Sequence, residues 1–368
     1  MELYELFKSL GYSCDEFNDI RNSFGVLNVS DEYLFNQVKI IYNFLIGYGF
    51  ESKDIKKMSL MYPAIFSLSL EKINEGINFL SSIGHRKDDI VYMIKKAPML
   101  LGFSVSKLQD RIDYLVLFGH KKSDVLMMTK KQPSIYNSSF ETLKKKNEYL
   151  LSLGYSSSDV VYITRKVPSI YNLSVNRLKE QVEFMMMLGY SYKDTVRIFK
   201  KYPILFTLSK NRIKDKINEI MSLGYLYTDV LDMTKSQPVI YGLSVDSMKN
   251  KILDICNLGY SFENVIAMTK VLPCLYTFSI ENISEKVSFY RSIGLGQIPI
   301  VKPVYLMQSV DLSYARYCFY IEKDIEIDMD TCFKLFINQQ KFEDTYGLSN
   351  LDLINRYNYR NDIKRKTP

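Results

Sequence analysis

Lysine or arginine recurs at one fixed place along much of this chain. Lys95, Lys130, Arg165, Lys200, Lys235 and Lys270 are each separated by 35 residues. The next place adds Lys96, Lys131, Lys166 and Lys201. A second basic set occupies two places four residues apart, with Lys72, Lys107 and Arg111, Lys146, Arg177, Arg212 and Lys216, Lys251 and Lys286. A flanking row holds Lys144, Lys179, Lys214 and Lys249. Regularly spaced cations can follow a phosphate backbone. They can equally stabilise helix C-termini, at about 0.3–1 kcal/mol each, or form a solvated helix face. Acid–base or nucleophilic chemistry has no comparable support. There is no glycine-rich phosphate loop, no Ser/His/Asp arrangement and no paired acids in a pocket-like context, so the expectation is a protein that is not an enzyme. The two histidines, His85 and His120, stand one period apart without partner ligands, and no Cys/His spacing suits zinc. No metal and no cofactor are expected.

The elements that carry these rows follow from three more. Glycine recurs from Gly49 to Gly294, proline from Pro63 to Pro273 and serine from Ser69 to Ser279, all in steps of 35. One unit shows why. Ser139 is a natural N-cap for a helix that places Phe140, Leu143, Leu150 and Leu153 on one face. Gly154 can take the left-handed conformation that ends it. Ser156 and Asp159 have capping-box spacing and open a second helix. Pro168 ends that helix, because it lacks an N–H and disfavours helix in the residue before it. The segment "PSIYNL" then suits one 3-10 turn that drives Ile170 and Tyr171 into the core. Each unit therefore reads as helix, glycine turn, helix, proline turn. Residues 1–48 read as N-terminal capping helices and 49–293 as seven repeats. Residues 294–323 read as a degenerate eighth repeat, and 324–368 as a C-terminal cap with a basic, frayed tail. The fold class expected is all-α, a helical-repeat solenoid.

The spacing of glycine to proline, 14 places, and the pattern around them, as in "GYSSSDVVYITRKVPSIYNLS", resemble the repeat of the mitochondrial transcription termination factor (mTERF) family. The resemblance runs strongly from Gly49 to about Ile293. It implies two α-helices and a 3-10 turn per unit, curved into a half-ring with a basic concave groove. It also implies binding of double-stranded DNA or RNA, in transcription termination or initiation, RNA processing or ribosome biogenesis. The leading expectation is control of transcription through duplex DNA. An RNA-binding factor and a protein-interaction scaffold are the alternatives. The resemblance carries no base-contacting residue with it. A monomer is expected.

The bulk properties fit. The chain has 368 residues, a net charge of +7 and a 47% hydrophobic composition, ample for a core and mildly attractive to polyanions. No apolar run is long enough to span a membrane. Five unpaired-looking cysteines suggest a reducing compartment and mostly buried thiols. The family suggests an organelle matrix, whereas the acidic N-terminal residues do not read as a transit peptide. In an antiparallel hairpin both basic sets gather on the proline-turn edge. The aspartates Asp54, Asp89, Asp124, Asp159, Asp194 and Asp229 are expected on the opposite, glycine-turn edge. With helices about 8–10 Å apart, the cations would form a track on the order of 50 Å long. Tyr155, Tyr190, Tyr225 and Tyr260, with His85 and His120 in the same place, are expected to pack against the turns, with base stacking as the alternative.

Overall fold

A computed structural model describes residues 2–25 and 30–360. The described residues form helices and turns, with no strand among them. They fall into two compact units, which divide between Leu208 and Ser209. The basic residues of the terminal tail after Arg360 lie outside the described residues.

Within each unit the repeat is built as its local chemistry dictates. A first helix, such as Phe140–Ser152, starts at a serine whose hydroxyl accepts from a backbone N–H three residues on (Thr142 N to Ser139 Oγ, 3.1 Å). It closes at Gly154 with φ +95°, in the left-handed region. A Cβ there would meet nothing within 4 Å, so the requirement is conformational and not spatial. The second helix, Ser157–Lys166, opens with the reciprocal Ser156/Asp159 capping box. Val167, before the proline, leaves the helical region at φ −131° and ψ 76°. Pro168–Asn172 makes the 3-10 turn and seals Ile170 and Tyr171 completely. Ser174 then caps the next first helix, Val175–Met187.

First helices pack on neighbouring first helices, second on second, and 3-10 turns on 3-10 turns. The core runs between the layers. Leu143, Leu150, Ile163, Leu178 and Met185 are wholly buried in it. Phe140 departs from the apolar face expected of it. It stays about two-fifths exposed at the first turn, edge-on to Tyr114 at 4.8 Å between ring centroids.

The ends depart from the repeat. In the second unit Pro299 and Pro303 confine the last second helix to four residues, Ile298–Val301. The final first helix, Val310–Glu322, is covered by a 3-10 turn, Cys332–Phe336, and helices Gln339–Tyr346 and Asn350–Arg356. In the first unit, helices Glu2–Ser9 and Cys14–Gly25 cover the first repeat. The cysteines are all free, but only Cys332 is buried; Cys14 is exposed and the other three are intermediate.

Candidate nucleic-acid interface

The cations do not lie on an edge of their own. Where both repeats lie in one unit, the first of the basic side chains near the end of a second helix reaches the aspartate near the start of the preceding repeat's second helix. In the first unit these pairs are Lys95–Asp54 at 2.8 Å, Lys130–Asp89 at 2.6 Å, Arg165–Asp124 at 3.9 Å and Lys200–Asp159 at 2.7 Å. In the second unit Lys270 meets Asp229 at 2.8 Å, while Lys235 lies 3.8 Å from Asp232 on its own helix. The expected separation of acids and bases onto opposite edges is therefore corrected. The paired places stand six residues apart along their ten-residue helices, about 9 Å at 1.5 Å per residue, and an extended lysine covers most of that distance. Asp54, Asp159 and Asp229 also accept from the N-cap backbone N–H, so these three cap and pair at once. Hydrogen bonds from Lys130, Lys200 and Lys270 hold the Asp89, Asp159 and Asp229 carboxyls below their ordinary range, against opposing desolvation. Asp54 is also lowered, although burial is the largest influence there and opposes the Lys95 contact.

The second basic set divides into inner and outer members. The place seven residues after each serine cap faces the next repeat's 3-10 turn. Its side chains donate to carbonyls that the short turn leaves without partners. Lys146 donates to the Tyr171 carbonyl, and Arg111 to that of Ser138 at 3.1 Å. Gln181 takes the same place and donates to Leu205 at 2.8 Å. In the second unit Lys251 donates to Phe278 at 2.7 Å and Lys286 to Leu306 at 2.5 Å. Lys216, equally buried, pairs with Glu219. Lys146 and Lys216, read from the sequence as surface candidates, are interior residues and are corrected as such. Burial lowers the affinity of Lys146 and Lys286 for their protons. The structural signal in the sequence was Gln181, since an amide can replace an ammonium as a donor but not as a charge. Arg316, which sequence reasoning missed, has this role after the eighth serine cap.

The residues after the glycines are also internal. Tyr155, Tyr190, Tyr225, Tyr260, His85 and His120 are all buried, so turn packing prevails over base stacking. Tyr155 donates to the Val196 carbonyl at 2.7 Å, and the Tyr225 hydroxyl lies 2.6 Å from that of Thr269. His120 Nε2 lies 3.2 Å from Thr164 Oγ1. Thr164 spends its own proton on the Val160 carbonyl at 2.7 Å, which assigns the ring proton to Nε2. Burial pushes the His120 pKa down to about 4, outweighing attraction from Asp124, with Arg165 adding to the depression. His85 is lowered for the same first cause.

A pH dependence follows. Between pH 6.5 and about 4 the unfolded His120 binds a proton and the folded one does not. Stability is full above 6.5 and falls as the pH drops through that window, by up to roughly 3 kcal/mol for this group. His120→Tyr, which installs the residue that most repeats carry there, should keep the fold and flatten this loss. Unfolding at pH 7 and pH 4.5 checks it; an unchanged difference between the two pH values would sink the assignment.

The exposed remainder is narrower than the sequence suggested. Lys96, Lys131, Lys166 and Lys201 lie on the surface at the end of four consecutive second helices in the first unit. None of Lys96, Lys131 and Lys166 is in an ion pair among the described residues. The Lys96 ammonium sits 4.8 Å from the Tyr92 ring centroid, and that of Lys166 5.8 Å from Tyr162. Lys107 is exposed, while Arg177 and Arg212 pair with Glu180 and Glu219, each at 3.6 Å.

The mTERF family profile matches the chain twice, over residues 5–152 and 148–282. The chain belongs to the mTERF family. An mTERF protein is a helical-repeat protein, and the family suggests nucleic-acid binding. In this mTERF chain the match starts in the N-terminal helices, ahead of the first regular repeat. No curated protein matches the chain significantly. Among the described residues no helix is long and apolar enough to cross a membrane, and no group of three or more His, Cys, Asp or Glu is placed to hold a metal.

Proposed function

We propose that this chain regulates gene expression by occupying nucleic acid along the second-helix face of its first unit, without catalysis of its own. Control of transcription, by blocking or guiding a polymerase, is the form the family favours. The observation that carries the reading is the exposed row Lys96, Lys131, Lys166 and Lys201. Lys96, Lys131 and Lys166 of this row stand apart from the cations that the fold uses in its aspartate ladder and turn clips. Four ammonium groups at one place in consecutive repeats suit a regular polyanion. Contacts of this kind set register and affinity and leave sequence preference to other groups.

The test compares two quadruple variants. Replacing Lys96, Lys131, Lys166 and Lys201 with Gln should weaken binding to every nucleic-acid sequence about equally. The salt slope should fall by up to roughly 0.9 per lost phosphate contact on duplex DNA, or about 0.7 on a single strand. Replacing Lys95, Lys130, Arg165 and Lys200 with Gln should instead lower stability. Half-exposed pairs are worth about 0–1 kcal/mol each, so the loss is modest, and the salt slope of the folded protein should hold. Titrations across a salt series, with unfolding curves alongside, separate the two. Equal effects of both variants on the slope would return the ladder to the interface. No effect of the first variant would remove the exposed row from it and favour the protein-scaffold alternative.

A further inference from the structure

An open cavity of about 260 Å³ lies between the second helices Lys122–Lys131 and Ser157–Lys166, both in the first unit. Ser158, Val161, Tyr162 and Arg165 of the later helix line it, with Gly119, Lys121 and Asp124 from the earlier repeat. It falls below the roughly 300 Å³ at which sites for drug-sized ligands begin, and so belongs to the size class of a single ring system. Two observations meet at this cavity. Tyr162 is a little over a third exposed, with the Lys166 ammonium 5.8 Å from its ring centroid. The Arg165–Asp124 pair beside it is the slack rung of the ladder, 3.9 Å against 2.6–2.8 Å for Lys95, Lys130 and Lys200. The cavity therefore joins an aromatic wall to cations at its rim, from Lys121, Arg165 and Lys166.

We propose that this groove is a stacking site for one base of a single-stranded nucleic acid. The proposal rests on the nucleic-acid reading above and names the form of strand engaged. The base lies against Tyr162, and its flanking phosphates meet Arg165, Lys166 and Lys121. Asp124 and Ser158 face the edge of the base and not its phosphates. A duplex does not satisfy this site, because its base faces are closed by neighbours about 3.4 Å away along each strand. An unstacked base has a free face, and stacking on an aromatic ring tolerates any sequence. The place of Tyr162 is taken in the adjacent repeats by Met127 and Arg197, and two repeats back by Tyr92, again beside a lysine. Arginine also offers a planar face to a base, so Arg197, beside Asp194 at 2.8 Å, continues the row by one repeat, whereas Met127 interrupts it on the side of Tyr92. Chemistry common to RNA and locally opened DNA is sufficient, since none of these groups requires the 2′-hydroxyl.

The experiment measures binding of the full chain to one 12-nucleotide RNA, the same sequence as single-stranded DNA, and its duplex. Tyr162→Leu should weaken both single strands about 5- to 150-fold, the range for one lost stack. Duplex affinity should change less than twofold. Tyr162→Phe keeps the ring and should bind as the unaltered chain does, which also guards against a folding artefact. A loss confined to RNA or to DNA would identify which source the site takes. Wild-type affinity of Tyr162→Leu for both single strands overturns the proposal, as does an equal loss on single strand and duplex. If those results come with a salt slope that still depends on Lys96, Lys131, Lys166 and Lys201, only the stacking site falls. If the unaltered chain binds none of the three probes at low salt, the nucleic-acid reading falls with it.

Discussion

Replacing Arg316 with Ala should destabilise the C-terminal part of the second unit by about 3–5 kcal/mol. Arg316 is almost wholly buried in the last first helix. Its guanidinium donates to the carbonyls of Leu335 at 3.0 Å and Ile337 at 2.5 Å, and to Asn350 Oδ1 at 2.9 Å. It also lies 4.8 Å from the Phe342 ring centroid. One side chain thus ties the 3-10 turn and both terminal helices to the repeat. Alanine takes this donor from the Ile337 carbonyl and Asn350 Oδ1, each loss costing about 1–3 kcal/mol where water cannot replace it, while the Leu335 carbonyl keeps Gln308 Nε2 at 2.8 Å. It also opens a cavity beside Phe342. The side chain's own burial cost offsets part of this, since burial lowers the guanidinium's proton affinity and its Nε has no partner. Arg316→Lys should recover part of the stability, because lysine serves at the same place in Lys251 and Lys286. Hydrogen exchange over residues 332–356, with denaturant unfolding, reads the effect. A loss below about 1 kcal/mol for Arg316→Ala would show that the cap is held by apolar packing alone.

The second large effect lies in the first unit. Leu150→Ala should cost about 2–5 kcal/mol, because Leu150 is fully enclosed and its neighbours can close the space only partly. Pro168→Ala should cost about 1 kcal/mol or less. Alanine can adopt the φ that proline fixes, and the preceding Val167 already sits outside the helical region. Proline contributes there a restricted unfolded chain, worth about 0.4–1 kcal/mol, and a buried ring with far fewer carbons to lose than Leu150. Denaturant unfolding of the two variants should rank Leu150→Ala far below Pro168→Ala. The reverse ranking would mean that the turn, and not the helix face, organises the repeat.

The sequence by itself determined the repeat. Serine caps, the glycine turn, the Asp159 capping box and the break at Pro168 each depend on groups within a few residues of one another. Periodicity repeats each of those local requirements until chance is excluded. The burial of Leu150 was legible from helical phase, and that of Ile170 and Tyr171 from an apolar pair in a proline turn too short for another helix. Phe140 shows the limit, since a residue in the first turn has the right phase but little of the next layer over it.

Only the tertiary structure decided what each cation does. Lys130 and Lys131 are chain neighbours with the same charge, yet Lys130 pairs with Asp89 of the preceding repeat and Lys131 faces water. Lys146 and Lys144 lie on one helix, but only Lys146 turns inward to the Tyr171 carbonyl. These outcomes are set by the rotation and stagger of one repeat on the next, which bring together groups far apart in the chain. Cap and breaker rules contain no term for that stagger, and a row of lysines looks the same in the sequence whether it meets an aspartate, a carbonyl or solvent.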